Sequence, residues 1–503
     1  MKRRAFVRSA FAAAALTLPG RPVFAHLPAL SRTRRGWRDV EAVTGDGKPV
    51  TLTEAALAEL RARLRGRVLL AGDDGYDSAR LILNPSFDKH PALIVQPTGV
   101  ADIRAAVSFA RDHDGLLLAV KCGGHSFSGA STCDRGMMID LSGFRDVHVD
   151  PAARRARVTG GSLLGQVDHE TAAFGLVTPL GTVSHTGAGG LVTGGGFGRL
   201  ARRYGLAIDN LVSVDVVTAD GGFVHASATE NADLFWGVRG GGGNFGIVTS
   251  FEFALHPMQR QVVGGEVVFP LARARDVLTM LSEYAYGAPD DLTLGFAMAK
   301  PPGDEPGVVV VEVCYAGDPA RADQVLAPVR KLGSPIADTV QPMDYVALQR
   351  SGDVKDPRAR GLYLKGGFIP DLRPALIAAI VDAFDPDPRR LTSTFFQLSG
   401  GAIARVAPDA TAFVQRDAFA NLLTAVGWRF GDDPSAHIAA ARAYWSKLEP
   451  FTHGFYVNDL EADHSAAAIQ ANYRDNHERL VAVKNRYDPK NLFRLNANVR
   501  PTG

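Results

Sequence analysis

His125 sits in the segment Lys121-Cys122-Gly123-Gly124-His125-Ser126-Phe127-Ser128-Gly129. Its glycine neighbours leave the ring uncrowded and permit positive φ and close backbone approach. Such an imidazole can meet something large. The same loop also suits a turn histidine satisfied by backbone. A second glycine-dense stretch runs Gly187-Ala188-Gly189-Gly190 and then Gly194-Gly195-Gly196-Phe197-Gly198. There the backbone amides are free to converge on a large polyanion, or the loop is free to pack tightly on a sheet. A third, Gly241-x-Gly243-x-x-Gly246, matches the dinucleotide fingerprint in letters only. That fingerprint opens a helix, whereas the β-branched and aromatic run Ile247-Val248-Thr249-Ser250-Phe251 follows here. No Gly-Lys-Ser/Thr ending makes a P-loop.

The elements that must hold these residues are readable from periodicity. Apolar runs at 116–120 and 137–141 flank the His125 loop as strands. Residues 91–95 read as a further strand, and Ile103, Ala106, Val107 and Ala110 recur at helical spacing, so this stretch is βαβ-like. Residues 26–60 read as irregular around the Gly45-Asp46-Gly47 turn, ending in a short helix marked by Leu57, Leu60 and Leu64. Short strands alternate with turns over 137–180, and strand-like runs cover 211–218 and 246–255. After His256-Pro257 the pattern changes. From 258 to 450, strands at 261–269, 307–314 and 392–398 alternate with helical stretches at 375–384 and 435–448. This predicts an antiparallel sheet with helices on one face. The tail, 451–503, carries a helix over 466–487 and a Tyr487-Asp488-Pro489-Lys490-Asn491 stop. The fold class is α+β.

The chain has 503 residues, enough for two or more lobes. Its 46% apolar and 21% charged residues suit a globular protein rather than a disordered one. Lys2-Arg3-Arg4-Ala5-Phe6-Val7-Arg8, an alanine-rich apolar run and Val23-Phe24-Ala25 read as a cleaved signal over 1–25. The adjacent arginines before Phe6 look like a twin-arginine signal, against the alternative of a basic Sec n-region. The apolar run is too short to span a bilayer, so no stable membrane anchor is expected. Cleavage removes five of the 55 basic residues and no acid, leaving 50 against 53 acidic residues, a net charge of −3. Nothing here makes a case for nucleic-acid binding. Cys122, Cys133 and Cys314 form no disulfide framework, although Cys122 and Cys133 flank the His125 loop and a pairing stays open. No Cys/His cluster has zinc spacing.

The motifs in order resemble the berberine-bridge-enzyme-like FAD-linked oxidases. They are Lys121 to Ser126, Gly181-Thr182-Val183, Gly194 to Gly198, Tyr204-Gly205-Leu206-x-x-Asp209-Asn210 and Val217 to Gly221. Asp233-Leu234-Phe235-Trp236-Gly237-x-Arg239 through Gly246, Tyr456-Val457-Asn458 and Tyr487 to Phe493 continue the series. The resemblance covers about 75–257 and 395–500 well, and the middle in pattern only.

The resemblance implies a PCMH-type FAD-binding domain of two α+β subdomains over 26–257, with its core at about 87–257. It implies a substrate domain over 258–450, with a large antiparallel sheet backed by helices, and a segment, 451–503, that returns to the FAD domain. It assigns His125 a covalent bond to the flavin 8α carbon. Val183 stands where many members place a second, cysteinyl bond, and no cysteine lies between 134 and 313, so a single link is expected. Gly123, Gly124, Ser126, Gly129, Val183, Gly187, Ala188, Gly189, Gly194, Gly196, Gly198, Ile247, Val248 and Asn458 are expected around the cofactor. Tyr456 is expected to be the base, with Asn458 on the same strand face. Ala188 is expected at an oxygen gate, where a small residue favours O2 access. Plant alkaloid members place a carboxylate on the strand that here reads Asn421 to Trp428 and holds no acid. Arg416, Gln397 and Gln415 could face the pocket but read more readily as structural. The function implied is oxidation of an alcohol of a carbohydrate or polyhydroxylated natural product, with hydride transfer to flavin N5 and O2 reduced to H2O2. A dehydrogenase using another acceptor and a flavin-bearing binding protein with little turnover stay open. The partners expected are a small-molecule substrate, O2 and the twin-arginine export machinery, in an exported, periplasmic or secreted protein.

Overall fold

The computed structural model describes residues 38–353, 358–459, 461 and 464–502. The expected signal, 1–25, lies outside the described residues. Three sheets organise the chain. The first has strands Arg67–Leu69, Leu93–Gln96, Met137–Asp140 and Leu118–Lys121 in that spatial order. The last three run parallel. Leu93, Ile94, Val95, Met137, Met138 and Ile139 are fully buried, as parallel strands covered on both faces require. Helix Val100–Asp112 makes the crossover and buries Ile103, Ala106, Val107 and Ala110. The segment read as irregular contains a hairpin, Val40–Val43 with Pro49–Leu52, turning at Gly45-Asp46-Gly47. Its four-residue strands are too short to show a period.

The second sheet is antiparallel, in the order Phe223–Ser227, Leu211–Val217, Ile247–Ala254, Arg155–Thr159 and Val147–Asp150. The run after Gly246 is therefore a strand, which removes the dinucleotide reading.

The third sheet has eight antiparallel strands. Arg360–Ile369, Ala420–Arg429, Leu391–Leu398, Leu292–Lys300, Val308–Tyr315 and Gln261–Pro270 follow one another across it. Side chains alternate between its faces. Phe396, Leu398, Ala420 and Leu422 join a core with Ile377 and Ile380 of helix Pro374–Asp382 and with Tyr444 and Trp445 of helix Ser435–Leu448. Ser393, Phe395, Gln397, Leu423 and Ala425 point the other way.

The tail packs back on the first two sheets. Ala497 and Val499 share a core with Val216 and Phe251, and Leu492 and Phe493 share one with Val95 and Ile139. Lys484 Nζ, fully buried, donates to Asn244 O, Phe493 O and Asp488 Oδ2. The helix expected over 466–487 is broken into Ala466–Asn472 and His477–Tyr487. At the break Arg474 takes a left-handed φ of 46°, and its guanidinium donates to Gln415 Oε1 at 2.6 Å. A tertiary contact overrides helix propensity there.

Candidate active site

The first and third sheets face each other across a cavity of about 420 Å³. The His125 loop leaves the strand Leu118–Lys121 and runs against the segment at Gly187. A Cβ on Gly123 would lie 2.3 Å from Gly187 N, so only glycine permits this approach. It brings His125 Nε2 to 2.7 Å from His185 Nδ1. His125 Nδ1 has Thr186 Oγ1 at 3.4 Å. Burial, and then the His185 ring, push His125 down to about 3. Burial also lowers His185. Both rings are neutral near pH 7, so one proton sits between their facing nitrogens.

Tyr456 closes the other side. Its Oη accepts from Gly196 N at 2.7 Å and from Asn458 Nδ2 at 2.7 Å. Burial pushes the phenol well above its ordinary range, while two donors on the oxygen favour the phenolate. Asn458 also donates to Leu191 O. Tyr456 and Asn458 do not share a strand. Val457–Asp459 is a 3-10 turn, which sets the two side chains tip to tip.

Of the residues expected at the cofactor, Gly123, Gly124, His125, Ser126, Val183, Gly187, Gly189, Ile247, Val248, Tyr456 and Asn458 line the cavity. Gly129, Ala188, Gly194, Gly196 and Gly198 are outside its lining. A Cβ on Gly129 would meet the Phe87 ring, and one on Gly198 would meet Leu180 O at 1.5 Å. A Cβ on Gly194 would collide with the Asn458 amide at 2.2 Å. The triple glycine leaves room for the Tyr456 and Asn458 side chains. Ala188 is fully buried in the core with Val158 and Leu164. Among the other candidates, Gln397 lines the cavity. Arg416 is instead paired to Asp209 at 2.7 and 2.8 Å, and Gln415 is held by Asn472 and Arg474. Cys122 and Cys133 are both free thiols.

His185 and Asp459 line the cavity as well and were not anticipated. His185 falls two residues after Val183, and nothing local marks it as a partner of His125. Asp459 follows the Tyr-x-Asn motif directly and reads as an ordinary acid at a turn. Burial pushes its carboxyl up to about 7, against the Asn421 amide that donates to it at 2.7 Å.

The lining suits a flat ring system with a polar tail. Apolar walls come from Val120, Leu141, Ile247, Val248 and Phe493. Ser131 and Asn496 also line the cavity, and their buried Oγ and Oδ1 atoms have no hydrogen-bond partner among the described residues. Polar atoms left this way await a ligand. Among the described residues no cluster of His, Cys, Asp and Glu could hold a metal ion, and no helix is long and apolar enough to cross a membrane.

Comparison with known proteins gives the same picture. Residues 91–227 match the FAD binding domain family model, and residues 456–500 match the berberine and berberine-like model. An FAD-linked oxidoreductase of Dictyostelium discoideum is 33% identical over 420 residues, 82% of this chain and 89% of that protein. (R)-6-hydroxynicotine oxidase of Paenarthrobacter nicotinovorans is 30% identical over 88% of this chain and 98% of its own length. Among solved structures, 6-hydroxy-D-nicotine oxidase of Arthrobacter nicotinovorans superposes with a TM-score of 0.78 at 28% identity, covering 87% of this chain and 98% of that one. Xylooligosaccharide oxidase of Myceliophthora thermophila, in complex with xylobiose, superposes at 0.79 with 26% identity, covering 89% and 100%. The chain is an FAD-linked oxidoreductase and belongs to the berberine-bridge-enzyme-like family.

Proposed function

We propose that this protein is an oxidase of small-molecule alcohols whose FAD is held by one covalent bond, through His125. The observation that carries the reading is that His125 and the doubly hydrogen-bonded Tyr456 line one cavity. When bound, FAD would supply a two-electron acceptor for the hydride of the alcohol carbon, with O2 as the final acceptor.

The chain's own residues supply the rest. Tyr456, as a phenolate steadied by Gly196 N and Asn458 Nδ2, takes the hydroxyl proton on Oη and becomes neutral. Val183 offers no thiol for a second bond. Ser131 and Asn496 present buried oxygens to the polar part of the cofactor, and the apolar wall at Ile247 and Val248 keeps water from the ring. The case for O2 as acceptor rests on the relatives named as oxidases. Relatives named for oligosaccharides also support a carbohydrate alcohol as substrate. We further infer that 1–25 directs twin-arginine export of the folded, flavin-loaded protein to the periplasm or beyond.

The test is turnover of an alcohol panel with parallel assay of H2O2 and of a dye acceptor. One H2O2 per carbonyl formed is expected. Turnover with dye alone would make the protein a dehydrogenase, and none with either acceptor would leave a flavin-bearing binder.

A further inference from the structure

The sheet wall of the cavity is graded in polarity along its strands. Gln397 pairs across with Asn421, Phe395 with Leu423, and Ser393 with Ala425, which in turn faces Leu364. The first row is polar. Asn421 Nδ2 donates both to Gln397 Oε1 at 3.0 Å and to Asp459 Oδ2 at 2.7 Å. Asp459 Oδ1 makes no hydrogen bond among the described residues, and the residue lines the cavity beside Tyr456. The next two rows are apolar, with Phe127 packed against Leu364, Leu423 and Ala425. The one polar group among them, Ser393 Oγ, is turned to Ala425 O at 3.4 Å.

We propose that Asp459, backed by Asn421 and Gln397, is the subsite for a second hydroxyl at the reacting end of a compact alcohol whose remaining body is an apolar ring. This rests on the oxidase reading above but sets a compact aromatic diol in place of the carbohydrate alcohol that the oligosaccharide-oxidising relatives suggest. An oligosaccharide carries hydroxyls on every side, and those lying on Phe395, Leu423, Ala425 and Leu364 would lose water without gaining a partner. A phenyl-bearing vicinal diol has no such cost. Its reacting hydroxyl goes to Tyr456 Oη, its second hydroxyl donates to Asp459 Oδ1, and its ring covers the apolar rows. A site built to accept a hydroxyl's hydrogen bond discriminates strongly against an analogue that lacks it.

Anaerobic stopped-flow reduction of the holoenzyme tests this, with 1-phenyl-1,2-ethanediol, benzyl alcohol and xylobiose as probes. The diol is expected to give a limiting rate over Kd at least tenfold above the other two. Asp459→Ala removes the acceptor and leaves Asn421 Nδ2 its bond to Gln397 Oε1. The diol's Kd then rises at least tenfold and that of benzyl alcohol changes less than threefold. Preference for xylobiose, or a diol Kd that moves no more than that of benzyl alcohol in Asp459→Ala, would overturn the subsite and leave the oxidase reading standing. Reduction by none of the three, with dithionite still bleaching the flavin, would overturn the oxidase reading itself.

Discussion

His125 Nε2 lies 2.7 Å from His185 Nδ1, and the two neutral rings share one proton there. If His125 donates, its Nδ1 carries the free lone pair and is the nitrogen able to bond to carbon. In the proposed anchoring, His185 would fix the tautomer of His125. On the proposed reading, joining Nδ1 to the flavin 8α carbon would take one hydrogen from the methyl and one from the imidazole, and the two electrons and two protons so released would pass to O2 as H2O2.

His185→Ala removes that acceptor. The protein is expected to bind FAD but carry it covalently in a fraction at least fivefold smaller, read as flavin fluorescence of the denatured band. His185→Asn, which restores a polar partner, recovers part of it. Full covalent loading of His185→Ala would show that the contact has no such part.

Tyr456→Phe deletes the oxygen that accepts from Gly196 N and Asn458 Nδ2 and leaves the ring packed on Phe197. Loss of a general base costs about 10²–10⁴ in rate. Anaerobic reduction should slow by that range with flavin content unchanged. A rate within threefold of wild type would exclude Tyr456 as base.

The Arg416–Asp209 pair ties the third sheet's return loop to the segment after Tyr204. Both side chains are buried, and Thr411 Oγ1 takes a further donor. Removing one partner of such a pair strands the other charge, a loss of about 3–5 kcal/mol. Arg416→Ala should therefore lower the denaturation midpoint sharply, and Arg416→Met with Asp209→Leu should recover most of it. A midpoint unchanged in Arg416→Ala would refute this.

Asp168 is buried beside Gln349, whose Nε2 donates to it at 3.3 Å, and burial pushes its carboxyl up to about 7. The folded state holds this proton where the unfolded chain has lost it. The contribution is therefore complete below the unfolded value of about 4 and is lost as pH rises to about 7, at up to about 1.4 kcal/mol per pH unit. Asp168→Asn should flatten the fall of thermal midpoint between pH 5 and 7. An unchanged slope would contradict the shift.

What the sequence disclosed follows from the range of each cause. The His125 loop and its flanking strands were legible because glycine spacing and apolar runs are local signals. The large antiparallel sheet was legible from alternation, as was the strand after Gly246. His185 and Asp459 were not, because each acquires its role only from a partner 60 or 38 residues away. The break at Arg474 was invisible because Gln415 lies 59 residues upstream.

On the proposed reading His125 alone anchors the flavin, and peptide mass spectrometry of the acid-precipitated, protease-digested holoprotein is the decisive measurement. One flavin adduct is expected, on the peptide carrying His125, with its loss in His125→Ala and the flavin then released on denaturation. An adduct on Cys122, Cys133 or Cys314, or an unmodified His125 peptide in protein that stays yellow after precipitation, would contradict it.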